Sequence, residues 1–210
     1  MLDFPTIALF SVACLALTMT PGPDMLLIAS RSVTQGKASG FATLAGIQAG
    51  TYCHALAAAF GLSQLFLAAP LAYDVVRYAG AAYLLYLAWK AFRSAGTSLT
   101  PVTGLRAYSI ATVFRQGLLT NLLNPKMALF VLALFPQFVR PDAGSVALQI
   151  MLLATVLNAI GLVVNGAVIV TASRLRHVFA GRNRPARWPQ YLMGTVFGGL
   201  AAKLAFDSGR

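Results

Sequence analysis

Glutamate is absent from this chain of 210 residues, whose only acids are Asp3, Asp24, Asp74, Asp142 and Asp207. Charged residues make up 10% and apolar ones 58%, where soluble domains carry roughly 25% and 45–50%. So little charge cannot cover a water-facing surface, and a lipid bilayer becomes the expected solvent. Cysteine is scarce as well. Cys14 and Cys53 both fall inside apolar segments, which excludes a disulfide framework and gives a thiolate metal site no support, so both read as buried small hydrophobes. Enzyme signatures are missing too: there is no G-x-S-x-G, no Walker lysine loop, no paired-histidine metal motif and no dinucleotide fingerprint. Membrane-embedded catalysis or metal binding would need two or more carboxylates or histidines converging, and the helical segments offer one aspartate and one histidine. The chain reads as a non-enzyme without a cofactor. Without a nucleotide site, any active transport would draw on an ion gradient. The N-terminus also lacks the basic start of a signal peptide, and its apolar run meets a proline-rich break with no clean cleavage site, so it reads as a retained first helix.

What is present is base and length. Sixteen Lys and Arg give a net charge of +11, and such an excess marks either a nucleic-acid binder or the cytoplasmic loops of a membrane protein. Here the bases cluster between long apolar stretches, which favours the second and leaves nucleic acid out. A spanning helix takes about 20 mostly apolar residues, and six segments come close or exceed it: Phe4–Arg31, Gly40–Ala69, Val75–Phe92, Val113–Phe138, Ala143–Ser173 and Trp188–Phe206. The expected fold is an all-α membrane protein of about six helices in one domain, 1–210. Its two inverted three-helix halves, roughly 1–93 and 112–210, are joined by a cytoplasmic loop. Connections after the first, third and fifth segments hold eleven bases and the opposite side four, which puts both termini outside the cytoplasm by the positive-inside rule.

The first and fourth segments are interrupted, by Thr20-Pro21-Gly22-Pro23-Asp24 and by Asn121-Leu122-Leu123-Asn124-Pro125-Lys126. Proline removes a backbone donor and clashes with the preceding turn, so each site opens the helix. With Arg31 and Arg115 at the cytoplasmic interface, each break lies about ten residues away, or ~15 Å, which is the midplane of a ~30 Å core. Superposing Pro23 on Pro125 also superposes Asp24 on Lys126 and Met25 on Met127. Paired broken helices in inverted halves are a plan of secondary transporters. Opened backbone at that depth is tolerated only if buried in protein or lining a cavity. Half-helices starting at Pro23 and Pro125 would aim N–H groups and positive dipole ends at the midplane, which suits a carboxylate. The substrate-site candidates are Pro21, Gly22, Pro23, Asp24, Asn121, Asn124, Pro125 and Lys126. For Asp24 and Lys126 an ion pair that only closes the bundle is the competing reading.

Gly46, Gly50 and His54 follow one another at four-residue spacing, which suits close helix packing at the glycines. Gly161 is read in the same way. His54 is either a packing histidine or, with Asp24, a proton-coupling group. Gln48 and Thr51 lie between these positions, while Asn158 and Asn165 in the fifth segment read as interhelical glue or cavity lining.

The run Pro21-Gly22-Pro23 with Arg31, Gly36, Lys37, Gly40, Gly46, Gly50, His54 and Gly61-Leu62 resembles the N-terminal signature of the lysine exporter and homoserine/threonine resistance family. So does the run from Gly117 through Asn121, Asn124-Pro125-Lys126 and Phe130 to Phe135-Pro136-Gln137-Phe138. The resemblance covers nearly the whole chain. It implies a small bacterial inner-membrane exporter of amino acids, driven by the proton gradient and closer to the homoserine/threonine-type branch. In that frame a zwitterion sits between the breaks, its carboxylate on the N–H groups and its ammonium on Asp24. Rival readings are a metal or redox protein using Cys14, Cys53 and His54, and a membrane subunit with no substrate. Assembly as a homo-oligomer stays open.

Overall fold

Hydrocarbon offers no hydrogen-bond partners, so a spanning segment has to satisfy its own backbone, as a helix does. The computed structural model contains helices and no strand among its described residues. These are residues 3–68 and 108–174, with single helical positions at Tyr78, Ala82, Leu85, Tyr86, Trp89, Arg93, Thr195, Gly198, Gly199 and Ala202. The third and sixth expected segments, the basic cluster beyond Arg174 and most of the central loop lie outside the described residues apart from those positions.

Among the described residues six α-helices are bounded, in order α1 Phe4–Met19, α2 Pro23–Gln35, α3 Lys37–Ala68, α4 Ile110–Leu122, α5 Pro125–Phe138 and α6 Val146–Arg174. The α6 helix is long and apolar enough to cross a membrane alone, and the pairs α1–α2 and α4–α5 qualify when each is counted as one span. The pairs bend by 58° and 56° at their breaks. Pro23 and Pro125 take the first helical position of α2 and α5, where the missing N–H costs nothing and the fixed φ suits the helix.

Elsewhere the chain turns on glycine. Gly36 at φ 85° is the single residue between α2 and α3. The expected loop carrying Arg31 and Lys37 is therefore corrected: both residues are helical, because only Gly36 adopts the left-handed backbone that stops a helix. Between α5 and α6, a 3₁₀ turn at Pro141–Ala143 leads to Gly144 at φ 122°. Gln149 braces this turn, accepting from Arg140 N at 2.9 Å and donating to Arg140 O at 2.9 Å. At the same end Arg140 pairs with Asp3 at 3.4 Å. Asp3 caps α1 through Thr6 N, and its bonds with Thr6 hold the carboxyl below the usual carboxylate range.

The central helix is α3, which packs on α4, α6 and α2, while α1 lies along α6. At the α3–α4 crossing the backbones nearly touch. A Cβ at Gly46 would meet Phe114 O, and one at Gly117 would meet Thr43 O. Small residues make this approach possible and gain dispersion contacts that replace a hydrophobic driving force in lipid. The larger core cluster joins α1, α3, α5 and α6. In it Phe10 stands edge-on to Phe135 and Phe138, with ring centroids 5.4 and 5.2 Å apart. A smaller cluster, Ile28, Leu44, Ile47 and Ile169, joins α2, α3 and α6. Outward-facing Phe4, Phe60, Leu148 and Val163 are exposed, as expected of side chains whose solvent is lipid.

Two expectations change here. Cys14 is fully buried, but Cys53 is exposed on α3, because a weakly polar thiol is tolerated on a lipid-facing surface. Arg31, expected at the interface, is 3% exposed. Its guanidinium donates to Gln35 Oε1 at 2.9 Å and Gln116 Oε1 at 2.7 Å, and lies 4.7 Å from the Tyr108 ring centroid. It ties α2 to α4 at the end opposite Asp3.

If the α3–α4 approach holds the bundle together, Gly46→Ala should cost about 1–3 kcal/mol by overpacking. Gly166→Ala, whose added methyl would have its nearest neighbour at 3.9 Å, should be neutral. Thermal unfolding of both variants in detergent checks this, and equal midpoints would refute it.

Candidate functional site

Each break exposes two helix ends, and helix ends carry unsatisfied carbonyls or N–H groups. The α1 end is held from inside and outside. Thr18 and Thr20 hydroxyls donate back to Cys14 O and Ala16 O at 2.8 and 2.7 Å, a pattern that bends helices. The outside partner comes from the other break. Lys126 Nζ donates to Leu17 O at 3.1 Å and to Thr20 O at 3.2 Å. A cation thus sits at the negative end of the α1 dipole.

The two half-helix N-termini differ. Asn124 caps α5: its side chain accepts from Lys126 N at 3.1 Å, and its carbonyl accepts from Met127 N and Ala128 N. The α2 helix starts on Gly22, which supplies no capping side chain, followed by Pro23, which has no N–H. Pro21 precedes them in the same break. The positive end of α2 is therefore the one free of a side-chain cap.

Asp24 stands in the first turn of α2. Its Oδ2 accepts from Asn121 Nδ2 at 2.9 Å, and its Oδ1 is buried with no hydrogen bond among the described residues. Asn121, in the last turn of α4, is fully buried. Its backbone oxygen accepts from Asn124 N at 3.0 Å and contacts His54 Nε2 at 3.1 Å. A carbonyl only accepts, so Nε2 carries the proton in that contact. His54 and Asp24 thus both bond to Asn121, one to its backbone oxygen and the other to its side-chain amide. Gly50 makes room for this amide, since a Cβ there would lie 2.6 Å from Asn121 Oδ1.

A cavity of about 70 Å³ lies between the breaks and the middles of α3 and α6. Gly22, Asp24, Asn124 and Lys126 line it with Thr18, Thr20, Gln48, Thr51, Asn158 and Asn165. Leu17, Met25, Leu44, Ile47, Met127 and Leu157 supply the apolar wall. One water takes about 10–15 Å³ of such space, so the cavity holds several water-sized groups. Of the expected site residues, Asn121 stands behind Asp24 without lining the cavity. The breaks place Pro21, Pro23 and Pro125 in the backbone that shapes it.

Gly161 lines the cavity, and its nearest outside atoms would be 3.9 Å from an added Cβ. Of the three glycines expected to pack closely, Gly46 and Gly50 do, because α3 meets α4 more tightly than α6 meets α1. Asn158 serves both roles left open for it. Gln48 Nε2 donates to Asn158 O at 2.8 Å and Asn158 Nδ2 to Gln48 O at 3.2 Å, while both line the cavity. Lys126 at the α1 carbonyls had no signal in the sequence. Among the described residues no three His, Cys, Asp or Glu side chains gather as a metal site would require.

The chain matches the family model of the LysE type translocator over residues 15–208. It is 28% identical to the leucine efflux protein of Salmonella typhimurium, over 93% of this chain and 92% of that one. An uncharacterised membrane protein of Pseudomonas aeruginosa is 32% identical, over 89% of this chain and 88% of that protein. The homoserine/homoserine lactone efflux protein of Salmonella typhimurium is 31% identical, over 76% of each. No solved structure matches.

The bond between Asp24 and Asn121 is open to a double-mutant cycle with Asp24→Ala and Asn121→Ala. Interhelical polar pairs in membranes couple by about 0.6 kcal/mol on average and about 1.7 at most. A partly buried carboxylate should fall in the upper half of that range. Additive losses in thermal stability would show that the bond contributes nothing.

Proposed function

The chain belongs to the LysE type translocator family, whose members are multi-pass membrane proteins, and on that premise we propose that it exports small neutral amino acids in exchange for protons. The observation that carries this reading is the pairing of opposite polarities in one cavity. The N-terminus of α2, without a side-chain cap, suits a carboxylate, and Asp24, in the first turn of the same helix, suits an ammonium. The rest of the wall is neutral apart from Lys126, so a second cationic group on the substrate would find no partner. The relatives named for leucine and for homoserine point the same way, since neither compound carries a charged side chain.

The site refines the expectation about the carboxylate. Asn124 already occupies Lys126 N at the start of α5, so the carboxylate is assigned to the α2 terminus alone. Protonation of Asp24 from outside neutralises the partner of the substrate ammonium and releases it, which couples export to proton entry. His54 is assigned to holding Asn121, and through it Asp24, as a positioning residue. Alternating access would come from rocking the half around 1–93 against the half around 112–210. The protein is placed in the bacterial inner membrane with both termini on the non-cytoplasmic side. The concentration of described bases Arg31, Lys37 and Arg115 at the end away from Asp3 supports that orientation.

Asp24→Asn keeps the hydrogen-bonding shape but cannot take up and release a proton. In proteoliposomes preloaded with leucine, homoserine, threonine or lysine, wild type should lose the neutral amino acids faster under an inward proton gradient. The variant should insert normally and lose that acceleration. Unchanged efflux in the variant would remove Asp24 from the mechanism, and gradient-driven lysine efflux alone would overturn the neutral-substrate assignment.

A further inference from the structure

One interaction in the cavity is not used by the substrate reading. The carbonyls of Leu17 and Thr20 converge on Lys126 Nζ at 3.1 and 3.2 Å. They are the terminal acceptors of α1, where the helix dipole places roughly half a negative charge. Both nearby threonine hydroxyls donate back into α1, and Leu17 O accepts also from Thr20 N at 3.3 Å. Asp24, whose Oδ1 is buried without a hydrogen bond among the described residues, also lines this cavity from α2. Terminal carbonyls of a half-helix at the midplane are the kind of group that coordinates small cations. The lysine ammonium is itself a compact point charge with three donors on a flexible stem.

We propose that the α1 terminus is a monovalent-cation site and that Lys126 is its tethered resident ion. Carbonyls that end a half-helix are stabilised by a positive partner, the more so where water is scarce. An ammonium carried in from α5 meets the need without an ion from solution, and it locks the first break to the second. Leu17, Thr20 and Lys126 all line the cavity, so a free cation has a route in once the ammonium is withdrawn. Gly22 leaves space on that side, as even an added Cβ would stay 3.9 Å from Nζ. The occupant accepted in place of Lys126 is a small alkali ion or a primary ammonium. A quaternary ammonium is too large and has no N–H to offer.

The inference does not depend on which solute is exported, and its test needs no transport. Purified wild type, Lys126→Ala and Lys126→Met are unfolded thermally in detergent at matched ionic strength. The salts are lithium, sodium, potassium, methylammonium or tetramethylammonium chloride. Both variants should melt lower than wild type in tetramethylammonium. At least one alkali ion or methylammonium should restore several degrees, of the order of ~4 °C, with saturation as mass action requires. Wild type should not respond. A variant recovered folded only in the small-cation salts also supports the site. Folded variants that melt alike in all five salts, variants unfolded in all five, or a wild type that responds as strongly would overturn it. The efflux result for Asp24→Asn stands or falls separately.

Discussion

A broken helix in hydrocarbon has to find partners for the backbone groups it gives up, and this requirement organises the molecule. Each proline break frees two helix ends inside a bent span, where an unmet polar group in hydrocarbon costs several kcal/mol. The two breaks answer one another. Lys126, beside the second, covers the carbonyls that end the first half of the first span. Asn121, beside the second as well, holds the carboxylate that follows the first. The first break thus takes its partners from the second, so the cavity between them is a consequence of how the first break is stabilised.

The surrounding helices keep that crossing in place. The glycine contact between α3 and α4 lets Gly50 stand against Asn121, which makes a packing feature into a determinant of site geometry. On the other side α6 meets α3 through the reciprocal amide bonds of Gln48 and Asn158 and contributes open wall at Gly161 and Asn165. Toward one end the aromatic cluster of Phe10, Phe135 and Phe138 fills the space between α1 and α5. Toward the other, Arg31 bridges α2 and α4. The polar centre lies between two closures of different chemistry, one apolar and one hydrogen-bonded, as a site reached from alternating sides would need.

The breaks are related in sequence but not in chemistry. Asn124 caps α5, while Gly22 leaves α2 without a side-chain cap, so only one dipole end is free to meet an anion. Asp24 and Lys126, which superpose in the alignment of the halves, do opposite things: one presents a carboxylate to the cavity and the other neutralises a helix terminus.

Composition alone determined that the chain lives in a bilayer, because 10% charge cannot solvate a protein of this size. Proline positions alone determined where two helices open, since a residue without an N–H cannot continue the ladder; Pro23 and Pro125 begin α2 and α5 as that rule requires. Those local effects are legible without a fold, and they led to Asp24, Asn124 and Lys126 as candidates. What only the tertiary structure decided depends on distance across the bundle. It decided that Lys126 serves α1, that His54 meets Asn121, and that Gly161 lines space where Gly46 closes it. It also decided that Arg31 is buried and Cys53 is not. Helical spacing tells which residues share a face but not which face meets a neighbour, and in a membrane, where apolar residues point both to lipid and to core, hydrophobicity cannot supply the difference.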